Sequence, residues 1–170
     1  MAITYIKIAS VVVSASTAAS IEFTSIPGNY TDLVVLYSAR TNRASEVVDN
    51  INISFNSSTA DFTSRYIVGT GTIVVSSTSL NRFGGFATGA SATASTFGNT
   101  LVYIPNYAGS TNKSFSVDAV SETNGTTSYQ IFSAGLWSQT SAITTITFSS
   151  NTSDSFVQHS TATLYGILKA

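Results

Sequence analysis

Few residues in this chain could act as an acid, a base or a nucleophile. His159 is the sole imidazole and there is no cysteine. A thiol nucleophile, Cys-ligated zinc and a disulfide framework are therefore excluded, and any histidine-based triad must use His159. Its setting, Ser155-Phe156-Val157-Gln158-His159-Ser160, puts it on a solvent face or beside a loop, and the chain has no Gly-x-Ser-x-Gly elbow. The carboxylates are Glu22, Asp32, Glu46, Asp49, Asp61, Asp118, Glu122 and Asp154. Glycoside cleavage needs two of them facing each other at roughly 5–9.5 Å; only Glu46 with Asp49 and Asp118 with Glu122 are close along the chain. Ordinary ion pairs with Arg or Lys account for these acids. No Asp-x-Asp-x-Asp run offers calcium its oxygens, and neither Gly84-Gly85 nor Gly69-x-Gly71 is followed by the Lys-Ser or Lys-Thr pair of a phosphate loop. Loop flexibility is the reading for those glycines. The expectation is a protein with no catalytic centre, no metal and no cofactor.

What remains is a set of contact residues. Trp137, the lone Trp, beside Gly135-Leu136, could stack on a sugar or anchor an interface, and packing in a core or interface is the stronger reading because Trp buries so much apolar area. Arg40, Arg43, Arg65 and Arg82 are most of the strong multidentate donors. Arg40, Arg43, Arg82, Phe83, Phe86 and Trp137 form the expected interface set. Six Asn-x-Ser/Thr sequons, at Asn29, Asn52, Asn56, Asn112, Asn124 and Asn151, follow from the abundance of hydroxyls.

The elements that hold these residues belong to one domain spanning residues 1–170, the size of a typical single folding unit. Only 9% of residues are charged and the net charge is -1, against about 25% charged in an ordinary soluble domain. A basic nucleic-acid binder is excluded. Ser and Thr fill the deficit at about a third of the chain, while eight Tyr and ten Phe supply enough apolar area to fold it. No apolar run reaches the ~18–20 residues of a membrane helix, and Val11-Val12-Val13 is too short for a signal segment, so the chain reads as mature, soluble protein.

Apolar residues alternate with period two from end to end, as in Ile51-Asn52-Ile53-Ser54-Phe55, in Phe115, Val117 and Ala119, in Ile21 and Phe23, and in Ile146 and Phe148. Such segments are half-buried strands. Leu33–Tyr37 and Leu101–Ile104 are apolar on both faces, which predicts strands in the middle of a sheet or under a partner subunit. With Thr4–Ala9, Arg65–Val68, Ile73–Ser76, Ser128–Trp137 and Thr161–Lys169, about ten strands and little or no helix are expected. Asn124-Gly125 predicts a two-residue type I′ turn, Pro105 a strand end, and residues 40–50 and 81–99 two long loops. One-sided strands must cover their apolar faces, so the fold class is all-β: an antiparallel two-sheet sandwich, jelly-roll-like.

Several blocks carry a resemblance. They are Ile3–Ser10, Phe23–Val35 with its Ile26-Pro27-Gly28-Asn29-Tyr30, Ser38-Ala39-Arg40, Phe97–Tyr107, Ser133–Trp137, Ile143–Thr147 and Leu164–Ile167. Together they resemble small virion proteins of tailed bacteriophages over nearly the whole chain. The resemblance implies a cement or decoration protein, made in the host cytoplasm and placed on the outer surface of the particle. Its partner would be the major capsid protein, its state a homotrimer, and fibre or glycan-binding attachment components its neighbours in kind. It assigns no functional residue.

Overall fold

The protein is described from a computed structural model that covers residues 5–14, 16–78, 81–125 and 127–168. Among these residues there are twelve strands and no helix. The strands are β1 (Tyr5–Val12), β2 (Ser20–Phe23), β3 (Asp32–Ala39), β4 (Val48–Phe55), β5 (Phe62–Gly69), β6 (Val74–Ser77), β7 (Phe83–Thr88), β8 (Gly98–Ile104), β9 (Lys113–Ser121), β10 (Tyr129–Trp137), β11 (Ile146–Ser150) and β12 (Thr161–Ile167). A large sheet runs in the order β1-β12-β3-β8-β9-β10-β5-β6 and a small one in the order β2-β11-β4-β7. Every named pairing is antiparallel.

The chain crosses from one sheet to the other at most of its connections. The order β2-β11-β4-β7 facing β3, the β8-β9-β10 meander, β5 and β6 is that of a jelly roll with one strand expanded into a meander. β12 and β1 extend the large sheet beyond β3. The two sheets enclose one core, because alternate residues of each strand turn inward. In β9, Phe115, Val117 and Ala119 are buried while Ser114, Ser116 and Asp118 are exposed.

Several expectations change. The stretch 81–99 is not one loop, since it contains β7, every residue of which is buried. Its glycines are packing devices. A Cβ on Gly84 would lie 2.8 Å from Ile53 Cβ, and one on Gly85 (φ 133°) 2.1 Å from the Tyr37 hydroxyl. The register against β4 slips between Ile51 and Asn52, which is a bulge. The charged stretch from Arg40 is shorter than expected, because β4 begins at Val48. Asn124-Gly125 does not form a two-residue turn. β9 ends at Ser121 and β10 starts at Tyr129, only Asn124 of the two has positive φ, and its N–H is taken by Glu122 Oε1 at 2.7 Å. The expected strand ends Thr4 and Lys169 lie outside the described residues.

At one end of the core Phe55, Phe62, Phe115 and Trp137 form a ring cluster with centroids 5.5–6.3 Å apart. The Phe115 ring lies over Gly135, where a Cβ would sit 2.2 Å from Phe115 Cζ. At the other end Phe86 meets Phe83 and Tyr129 edge-on. Beyond the core, Lys113 is fully buried, and its ammonium donates to the carbonyls of Gly109 (2.6 Å), Thr111 and Thr140 (3.2 Å). One side chain thereby ties together the loops that flank β9 and β10. Burial pulls its pKa below the ordinary lysine value.

Candidate functional site

The six residues expected at an interface are divided by the fold. Phe83, Phe86 and Trp137 are 1%, 4% and 2% exposed, so they join the two sheets to each other and offer no surface to a neighbour. The burial of Trp137 also leaves no indole face for a sugar to stack on. Its indole N–H, in the ring cluster, has no hydrogen-bond partner among the described residues.

The arginines work locally. Arg40 organises the loop after β7: its guanidinium donates to the carbonyls of Thr93 at 2.9 Å, Thr96 at 3.0 Å, and Ala90 and Ala92 at 3.1 Å. Arg43 forms the one salt bridge among the described residues, at 3.3 Å to the buried carboxylate of Asp49. Arg82 donates to Ser54 Oγ at 3.0 Å and Ile53 O at 3.3 Å, stitching the approach to β7 onto β4.

The candidate acids do not converge. Asp32 accepts from the Tyr103 hydroxyl at 2.8 Å and from Asn106 N–H at 2.9 Å. That bond, ahead of partial burial, raises the Tyr103 phenol pKa. Asp61 takes Gln139 at 2.7 Å, Asp154 takes Thr152 at 2.7 Å, and Glu22 takes Thr147 at 3.2 Å. Glu46 and Asp49 are separated by burial, Glu46 being exposed and Asp49 sealed against Arg43. Among the described residues no three His, Asp or Glu side chains gather as a metal site would need. His159 is exposed in a turn with φ 73°, its backbone N–H held by Val13 O at 2.9 Å.

The prominent surface feature lies elsewhere, on the outer face of the large sheet. The register aligns one row of side chains across it: Thr163, Leu36, Leu101, Asp118, Phe132 and Ile67. Leu36 is 43% exposed, Leu101 39%, Phe132 56% and Ile67 55%. Ser116 and Ala134, both small, leave a groove of about 600 Å³ between this row and Arg65. A second hollow of about 610 Å³ continues it toward Tyr165, sharing Leu101 and Asp118. Among the described residues Asp118 stands between Leu101 and Phe132 with no cation bonded to it, and Arg65 donates to its neighbour Ser64 O, at 2.9 Å.

The row ends at the β5-β6 hairpin, where Ile73, Val74 and Val75 are 60%, 75% and 40% exposed. The other flank of the same sheet is covered. There Val34 is 2% exposed in the row that aligns it with Tyr165 and Tyr103, and Tyr5 meets Tyr165 edge-on at 6.2 Å.

Leu101 and Leu36 belong to strands whose two-sided apolar pattern raised the idea of a covering subunit. For Phe132, Ile67 and the hairpin, period-two alternation shows that residues share a face without showing which face a neighbouring strand aligns with. Searches against protein-family models, curated proteins and solved structures each return no match to this chain.

Proposed function

We propose that this protein works through its surfaces, as a non-enzymatic structural component of a tailed-phage particle, in the manner of a cement or decoration protein that binds the major capsid protein. The observation that supports this reading is the open apolar row on the large sheet, set in a surface of uncharged hydroxyls. Exposed apolar patches of a few hundred Å² mark sites of protein contact. Five of the carboxylates, Asp32, Asp61, Asp154, Glu22 and Asp49, are by contrast spent one by one on hydroxyls, amides and a single arginine. The strand-by-strand resemblance to small virion proteins supplies the particle as the setting.

Repeated copies on a symmetric shell gain avidity from weak individual contacts. Contacts made by apolar groups and neutral hydrogen bonds are screened little by salt. The test is to assemble particles with and without the protein and subject them to heat and osmotic shock. Particles lacking it are expected to release their contents at lower temperature. Equal survival would contradict the reading.

A further inference from the structure

We propose that the outer face of the large sheet, from Leu36 across Leu101 and Phe132 to Ile67 and the β5-β6 hairpin, is where a second copy of this chain binds. In that contact Arg65 of each copy meets Asp118 of the other. The inference rests on reading this face as a contact surface and adds which molecule occupies it.

The extent of the patch is the first argument. Five apolar side chains that the register places on this face (Leu36, Ile67, Val74, Leu101 and Phe132) are each between 39% and 75% exposed. They present on the order of 500 Å². Two such patches meeting, with the backbone and hydroxyls around them, approach the roughly 800 Å² per partner of a stable association.

The sheet edges supply the second argument. A strand edge offers unpaired N–H and C=O groups, and proteins that stay single guard it with charge, bulges or cover. β1, at one edge of the large sheet, carries Lys7 and a register shift between Lys7 and Ala9. β2, at an edge of the small sheet, carries the exposed Glu22, and β7, at the other, is wholly buried. β6 is short, but its sequence Val74-Val75-Ser76-Ser77 holds no charge and no proline, its pairing with β5 has no bulge, and its valines are exposed.

Charge supplies the third argument and points to a copy of the same chain. Arg65 and Asp118 stand on the same face on either side of the Phe132 strand, two strands and two residues apart. At the usual spacings that is roughly 12 Å between their backbones, and among the described residues the two form no salt bridge. Each is therefore a lone charge in a largely apolar surface, and their sum is zero. A copy of the face carries the matching pair, so two copies can satisfy both charges where a partner with a single sign of charge would leave one of them opposed.

The test is sedimentation of the purified chain over a wide range of concentration. Wild type is expected to self-associate. Phe132→Asp and Leu101→Asp should each weaken association by about tenfold or more, with an unchanged β-sheet circular dichroism spectrum. Should either fail to fold, Phe132→Thr and Leu101→Thr carry the same test. Asp118→Arg alone and Arg65→Asp alone should each weaken association, and mixing the two variants should restore it.

A chain that stays monomeric at every concentration overturns the proposal. So does association that Phe132→Asp leaves unchanged, or a mixture of the charge variants that does not associate. Particle protection, scored separately, tells the two readings apart. A monomer that still protects particles overturns this inference and spares the proposed function; a self-associating chain that protects nothing does the reverse.

Discussion

The two faces of the large sheet are built from the same strands in the same register, and they have opposite fates. One inner row runs Leu164, Val35, Val102, Val117, Ser133 and Tyr66. Its first five members are 0–4% exposed. One residue along, the outer row, Thr163, Leu36, Leu101, Asp118, Phe132 and Ile67, is as rich in large apolar groups and stands in solvent. Alternation therefore does not divide this protein into an apolar inside and a polar outside. It makes one face that the small sheet closes and a second that none of the described residues closes over β8, β10 and β5.

The largest test of that contrast removes a side chain from the closed face. Trp137→Ala, in the ring cluster, is expected to lower unfolding free energy by about 3–5 kcal/mol in urea denaturation. Gly135→Ala sharpens the same point from the opposite direction. The added Cβ would press into the Phe115 ring, and overpacking of this kind costs about 1–3 kcal/mol. A well-tolerated methyl there would show that the inner face is looser than its burial implies.

The closed face also predicts a pH response. Tyr37 is inside it, and burial raises its phenol pKa well above the ordinary value, with the Thr100 hydrogen bond opposing and the Asp49 charge adding. The folded state therefore holds the Tyr37 proton more tightly than the unfolded state does. Its contribution is fully present below the unfolded phenol value near 10 and is lost as pH rises above it. Wild type should lose stability steeply in alkali. Tyr37→Phe should fall less steeply, by about 1.4 kcal/mol per pH unit at most, as read from denaturation midpoints on either side of pH 10. Parallel slopes would mean that the phenol is not sealed.

On the open face the same kind of substitution should do little to the isolated chain. Ile67→Thr and Leu101→Thr are expected to shift unfolding free energy by under about 0.5 kcal/mol, measured at concentrations low enough to keep the chain dispersed. A loss as large as that of Trp137→Ala would show that these side chains serve the monomer's own stability.

The closed face was largely legible in the sequence. Ile51, Ile53 and Phe55, and Phe115, Val117 and Ala119, announce their strands by strict alternation, and all six are buried. β7 was not legible, for a physical reason. Phe83 and Phe86 both turn inward although they are three residues apart, because the bulge at the paired glycines inserts a residue, and period two is broken where the strand packs most tightly. The Asn124-Gly125 signal misled because the seven-residue connection takes its order from Glu122 and from a Thr123 hydroxyl bonded to Thr127 O at 2.9 Å, and not from a tight turn.

The open face was hidden more deeply. Its row draws one residue from each of five strands between β3 and β5, and their alignment is a property of register that no single segment carries. Arg40, Arg43 and Trp137 stand out in the sequence by charge and rarity, yet these residues are occupied within the molecule.

The most direct test of the open face is hydroxyl-radical footprinting of the chain, dilute and alone, and then in its working assembly on particles. The account predicts that Leu101, Phe132 and Ile67 are oxidised readily in the dilute chain and strongly protected in the assembly, while Tyr5 and Val12 on the guarded edge strand change far less. Equal labelling of Leu101, Phe132 and Ile67 in both states would contradict it.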